Sequence, residues 1–223
     1  NGTGGVATNY ALPTLDAAHA AVTINVVTLT YTASAATSIY GSTPSVNAGT
    51  VTGFIPGEDQ ATATAGTLLF STTATATSNV GAYAVTGSGL TANNGNYVFA
   101  QAAVNSTALT INRKVVTLSA VKTYDGTNSL TGSAVTIDTG VAGQALTYTG
   151  ATVSDANVAT ASKYINAITL ANGVGGLAAN YILPTLDVAH APAIINAKVV
   201  SLSASKVYDS TTGLANAVTI DTG

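Results

Sequence analysis

The sequence predicts an all-β protein made of tandem small domains, and three observations carry that reading. Nearly half of the 223 residues are hydrophobic (47%) and only 7% are charged. The apolar residues alternate with Thr and Ser, as in half-buried strands whose side chains face the two sides of a sheet in turn. Turn formers separate short apolar runs, among them Asp125-Gly126, Thr139-Gly140 and Asn172-Gly173. Finally, long stretches of the chain occur more than once.

The repeats set the organisation. The stretch TNYALPTLDAAHAAVTIN at 8–25 returns as ANYILPTLDVAHAPAIIN at 179–196. A fainter copy keeps only its two ends, Asn96-Tyr97 and Ile111-Asn112. The segment after a copy is repeated as well: RKVVTLSAVKTYDGTNSLTGSAVTIDTG from Arg113 aligns with AKVVSLSASKVYDSTTGLANAVTIDTG from Ala197, with one deletion. The chain therefore reads as a tandem array with two complete segments, 26–112 and 113–196, flanked by the incomplete segments 1–25 and 197–223. A unit of roughly 85 residues is too long for a solenoid rung and suits a small closed domain, so a linear array of such domains is expected.

Within the segment 113–196 the elements come in order. VVTLSA, AVTID, ALTYT, KYINAITL and NYIL read as short strands, each rich in β-branched or aromatic residues and bounded by turn signals. PTLDVAHA, at 184–191, is the one helix-compatible stretch. A β-grasp-like module with one short helix is the expected variant.

Composition excludes several classes. Six basic and nine acidic residues give a net charge of −3, and the only basic cluster is Arg113-Lys114, so nucleic acid is not an expected partner. From Gln60 to Asn112 the chain carries no charge, but Thr, Ser, Asn and Gly interrupt every apolar run and no stretch approaches a membrane-spanning helix of ~20 residues. There is no Cys and no Met, hence no disulfide or thiolate chemistry. Without an initiating Met or a signal peptide, the chain is expected to be an internal part of a longer protein.

These motifs support a resemblance. The segment 113–196, with KTYDGT near its start, a Gly-rich approach to Asn180-Tyr181 and a closing apolar strand, resembles the YDG domain of bacterial filamentous-haemagglutinin-like adhesins. The segment 26–112 is similar to the companion MBG domain of the YGX type, through SIYGSTP at 38–44, GFIPGED, VGAYAVTGSGL and GNY. Gly143-Gln144 departs from the Gly-Asp that many YDG domains carry, and the tail PTLDVAHAP is longer than a plain closing strand. The resemblance implies that 1–25 is the tail of a preceding YDG-like module and 197–223 the head of a following one. It also implies a non-catalytic repeat array in the stalk of a secreted protein at the bacterial cell surface, with neighbouring modules as its partners.

Candidate sites divide between architecture and chemistry. His19 and His190 each follow an aspartate by three residues (Asp16 and Asp187), a pairing that serves a turn or, with a further ligand, a weak metal site. Asp125 and Asp209 suit an Asx-type turn that tolerates both Asp-Gly and Asp-Ser, with the preceding Tyr124 and Tyr208 expected to be buried; the alternative is a calcium site completed by nearby carbonyls. Gly173, Gly175 and Ala178, like Gly2, Gly4 and Ala7, match a dinucleotide fingerprint in the wrong context, so they are expected to form a turn. No catalytic residue and no obligatory cofactor is expected. Ten tyrosines keep carbohydrate binding as the alternative function, with Tyr10, Tyr97 and Tyr181 at one repeated core position. Edge strands with few charges also invite lateral or end-to-end self-assembly.

Overall fold

A computed structural model describes residues 3, 5–16, 18–19 and 21–222. The chain is all-β. Its first complete segment carries β1 (Val27–Ala33), β2 (Ala36–Ile39), β3 (Gly49–Thr52), α1 (Gln60–Ala63), β4 (Thr64–Ser71), β5 (Gly81–Tyr83), β6 (Thr86–Ala92), β7 (Tyr97–Gln101) and β8 (Leu109–Asn112). The second carries β9 (Lys114–Val115), β10 (Thr117–Thr123), β11 (Val135–Asp138), β12 (Leu146–Val153), β13 (Ile165–Asn172), β14 (Tyr181–Ile182) and β15 (Ala193–Asn196). A two-stranded piece, β16 (Ser201–Ala204) and β17 (Val218–Asp221), comes last.

These strands fall into two compact units that interleave along the chain. Unit 1 comprises Asn1–Ala35, Val46–Thr72 and Ala84–Ala108, and unit 2 comprises Ala36–Ser45, Thr73–Tyr83 and Leu109–Gly223. The sequence segment 26–112 thus contributes strands to both. Every sheet, however, takes all its strands from one repeat segment.

In unit 1, β1 is the central strand, antiparallel to β3 and parallel to β7, while β4 and β6 form an antiparallel pair. The sequence VTLTYTA buries Leu29, Tyr31 and Ala33 and turns its threonines outward, the period of two expected of a strand with one wet face. Tyr31 stacks on Phe99 with ring centroids 5.2 Å apart and meets Phe70 edge-on. Asn105, buried at 3% exposure, takes over where β7 ends: its Oδ1 accepts from the Ala33 amide at 2.8 Å and its Nδ2 donates to the Tyr31 carbonyl at 3.0 Å. One side chain thereby continues the hydrogen-bond ladder of β1. α1 is a single turn held by a capping box between Asp59 and Thr62.

In unit 2, β8 lies between β2, parallel, and β5, antiparallel. The repeat segment 113–196 pairs β9 with β14 and β10 with β15, both parallel; β11 lies antiparallel to β10, and β12 and β13 make a hairpin. Val116, Leu118, Val135, Val153, Ile165 and Ile195 are buried between these layers. Their counterparts in the last segment have no such cover. Val200, Leu202 and Val218 are 42%, 67% and 45% exposed, with only β16 and β17 paired.

One expectation is corrected. The stretch 184–191 is a turn, not a helix, and the only α-helix among the described residues is α1, so a short helix per module does not form. The reason is local: Pro184 and Pro192 bracket the stretch, and the Asp187 carboxylate captures the Ala189 and His190 amides that a helix would need.

Replacing Asn105 by Ala should cost roughly 1–3 kcal/mol, because the Ala33 amide loses its partner and the Tyr31 carbonyl keeps only the Ala102 amide. Urea unfolding compared with the unsubstituted chain measures it, and a cost below about 0.5 kcal/mol would contradict this role for Asn105.

Candidate functional site

Within unit 2 the Tyr-Gly turn of the first segment is seated against side chains of the second. β2 ends at Ile39, and the next residue, Tyr40, donates its amide to the carbonyl of Asn112, the last residue of β8, at 2.9 Å. This places the phenol at the end of the sheet, where Gln144 meets it. Gln144 Nε2 donates to the Tyr40 hydroxyl oxygen at 2.7 Å, and Gln144 Oε1 accepts from the Tyr181 hydroxyl at 2.6 Å. The two rings meet edge to face with centroids 5.4 Å apart, and each tyrosine is only 3% exposed. Burial pushes the Tyr181 phenol above its usual pKa.

The loop that carries Gln144 is itself fixed. Thr139, buried, donates its hydroxyl to the carbonyls of Val141 and Gln144, and Asp138 accepts from the Gly140 amide at 2.8 Å. Gly41, directly after Tyr40, has φ +87°, and a Cβ there would lie 2.7 Å from Val141 Cγ2. A glycine is required for both reasons. A second polar contact lies beside the first. Asn180, 2% exposed, accepts from the Val80 amide through Oδ1 at 3.0 Å and donates through Nδ2 to Asn79 Oδ1 at 2.8 Å.

Tyr124 repeats the backbone half of this arrangement. It comes after β10 as Tyr40 comes after β2, and its amide donates to the Asn196 carbonyl at 2.8 Å. The next residue, Asp125, makes the Asx turn expected of it, accepting from the Thr127 amide at 2.9 Å and hydroxyl at 2.9 Å. Lys122 adds the decisive contact. Its ammonium sits 2.7 Å from Asp125 Oδ1 and donates to the carbonyls of Thr127 and Ser129. Those are the oxygens a cation would coordinate, and the ammonium supplies the positive charge. This hydrogen bond to Lys122, helped by the Thr127 donors, brings the Asp125 carboxyl down to about 2. Asp209 repeats the scheme with Lys206, Thr211 and Gly213, and Lys206 lowers its carboxyl as well. Ser210 occupies the place of Gly126 at φ +63°, so the turn does require a left-handed residue there and the serine bears the strain.

His19 and His190 lie 2.7 and 2.8 Å from Asp16 and Asp187, on exposed turns. Each aspartate accepts two backbone amides as well, and the histidine contact is the largest cause of its lowered carboxyl pKa. No third ligand joins them; among the described residues no cluster of three or more His, Cys, Asp or Glu side chains occurs. Gly173 and Gly176 form a turn pressed on the backbone of Ala145, each with room for no Cβ, while Gly2 and Gly4 lie outside the described residues. Tyr97 and Tyr181 are buried as their repeated position predicts, but Tyr10 is 76% exposed, and Tyr124 and Tyr208, expected to be buried, are 39% and 88% exposed because each follows the end of its strand at a surface turn.

This seated tyrosine belongs to a recognisable domain. Residues 29–110 match the family model of the MBG domain (YGX type). That domain is a small β domain found in surface proteins, and Tyr40-Gly41 lies within the matched stretch. No curated protein and no solved structure matches the chain. In the sequence Gln144 stands out only as a departure from the Gly-Asp pattern; in the structure it is the residue that joins the two phenols.

Two outcomes are expected. Gln144→Leu should destabilise unit 2 by about 2 kcal/mol in denaturant unfolding, since two buried hydroxyls lose their shared partner. Asp125, whose folded pKa lies below its unfolded value, contributes stability that is present above about pH 4 and is lost as the pH falls toward 2. Acid unfolding of Lys122→Met should show a smaller loss across that window; an unchanged profile would remove the ion pair from the account.

Proposed function

We propose that the chain is a non-catalytic structural array from the extended stalk or fibre of a secreted bacterial surface adhesin. In this reading 113–196 is a YDG-like module following the MBG domain, and 1–25 and 197–223 are parts of further YDG-like modules. The observation that carries it is the seating of Tyr40 against Gln144 and Tyr181. Tyr40, inside the stretch that matches the MBG domain, is spent on contact with the next repeat segment, as the modules of a joined array would use it. The repeated sequence on both sides supports continuation of the same scheme. No helix of the described residues is long and apolar enough to cross a membrane. The array's partners are then neighbouring modules, joined by lateral or end-to-end assembly between chains at its low-charge edges.

A glycan array separates this reading from carbohydrate recognition. The expected outcome is no saturable binding, and a dose-dependent hit at micromolar concentration would displace the stalk reading. Because Lys122 and Lys206 supply the cationic charge at the Asp125 and Asp209 turns, exchange of calcium for EDTA should leave the thermal midpoint unmoved; a fall of several degrees would show a bound ion.

A further inference from the structure

We propose that a cleft in unit 1, formed by Val26, Val27, Ile55, Glu58, Asn96 and Tyr97, is a socket for the strand-end tyrosine of a preceding YDG-like module. The proposal rests on the modular reading above and adds a docking surface to it. The occupied junction in unit 2 supplies the template. There, Gly143-Gln144 and Asn180-Tyr181 bring an amide and a phenol together at 2.6 Å, and Tyr40 completes the group. Unit 1 holds the same pair at the same spacing from a glycine and an asparagine: in Gly57-Glu58 and Asn96-Tyr97, the Tyr97 hydroxyl donates to Glu58 Oε2 at 2.6 Å. Both socket tyrosines begin a strand that runs parallel to the opening strand of the repeat segment, Tyr97 opposite Val27 and Tyr181 opposite Lys114.

The third member differs. Against Gln144 the place is filled by Tyr40, whereas in unit 1 a cleft of about 460 Å³ opens beside Glu58 and Tyr97. Val26, Val27 and Ile55 on its wall are 51%, 36% and 44% exposed. Asn25 borders the same cleft. Ile24-Asn25 is the repeated pair that ends the segment before, as Ile111-Asn112 and Ile195-Asn196 end theirs. In both of those the asparagine carbonyl accepts the amide of a strand-end tyrosine, Tyr40 or Tyr124. A tyrosine hydrogen-bonded in that way to Asn25 would enter the cleft from its rim.

The far end of the chain shows the complementary half. Tyr124, 39% exposed, lines a cleft with Lys198, Val200 and Thr222. These three repeat Lys114, Val116 and Thr139, which belong to the segment that receives Tyr40. The chemistry of the unit 1 socket selects its occupant. A carboxylate such as that of Glu58 only accepts, where the Gln144 amide both donates and accepts, so the incoming phenol must donate its proton to the second carboxylate oxygen. A phenylalanine could fill the apolar wall but not satisfy Glu58.

The test builds a preceding module from the chain's own sequence. Residues 1–25 repeat 172–196, so placing residues 113–171 ahead of Asn1 in the full chain completes a YDG-like segment whose copy of Tyr124 adjoins Asn25. Amide hydrogen exchange is then compared with the chain as it stands. The expected result is at least tenfold slower exchange at Val26, Val27, Ile55 and Glu58. That gain should vanish with Tyr124→Ala in the added copy and shrink with Tyr124→Phe there. A protected added segment without slowing at these four amides overturns the proposal, as does a gain that survives Tyr124→Ala. An added segment that stays unprotected also counts against it, because the same sequence folds at 113–196 and the socket should only help. Saturable glycan binding by a chain that shows the expected protection would remove the stalk reading and leave the docking intact.

Discussion

Parallel pairing of the second strand of the repeat segments 26–112 and 113–196 with their last is the constraint from which the other features derive. β2 on β8 and β10 on β15 join residues that lie most of a segment apart. The entropy of closing so long a loop grows only slowly with its length, so the intervening hairpins are free to vary. The end of that pair cannot vary. At both places the final asparagine carbonyl takes the amide of the residue after that second strand, and that residue is a tyrosine. Closure of a segment and presentation of its contact residue are therefore one event.

A chain with so few charges satisfies its buried polar groups with neutral partners. Asn105, Thr139 and Asn180 are each nearly inaccessible, and each hydrogen-bonds to backbone amides or carbonyls rather than to ions. Neutral amides and hydroxyls are cheaper to bury than charges, provided every donor and acceptor finds a partner. Lys163 is the exception, and its buried ammonium is spanned by the carbonyls of Val158 and Thr160 in the loop that its own stem organises. Among the described side chains no fully buried polar atom lacks a partner.

Much of this could be read from sequence where local rules decide. The strands of alternating Thr and apolar residues, the Asx turns at Asp125 and Asp209 and the buried Tyr97 and Tyr181 are consequences of periodicity, turn chemistry and repetition. The helix-compatible stretch at 184–191 misled because its apolar spacing suits a helix, while Asp187 offers the backbone a nearer partner. The role of Gln144 was not legible at all. Its partners stand 104 and 37 residues away, and nothing in its own neighbourhood marks it as a bridge. For the same reason the division of 26–112 between two compact units, which depends on where β2, β5 and β8 pack, has no local signature.

The pairing of phenol with amide also answers a problem that low charge creates. Apolar strand faces bordered by Thr and Ser can slip past one another by two residues at little cost in buried area, since side chains return to the same face every second residue. Opposite charges usually break that degeneracy, but here they are scarce. A hydroxyl that must lie within about 3 Å of one amide oxygen or nitrogen breaks it as well, because a slip of two residues moves the donor out of reach and leaves both groups buried and unpaired. Tyr40 and Tyr181 converging on Gln144 specify one placement of the Tyr-Gly turn, and Asn180 on Asn79 and Val80 specifies the same placement independently. The modest net strength of such bonds is no objection, since specificity is the difference between the matched register and the slipped one, and the unpaired alternatives carry the whole penalty.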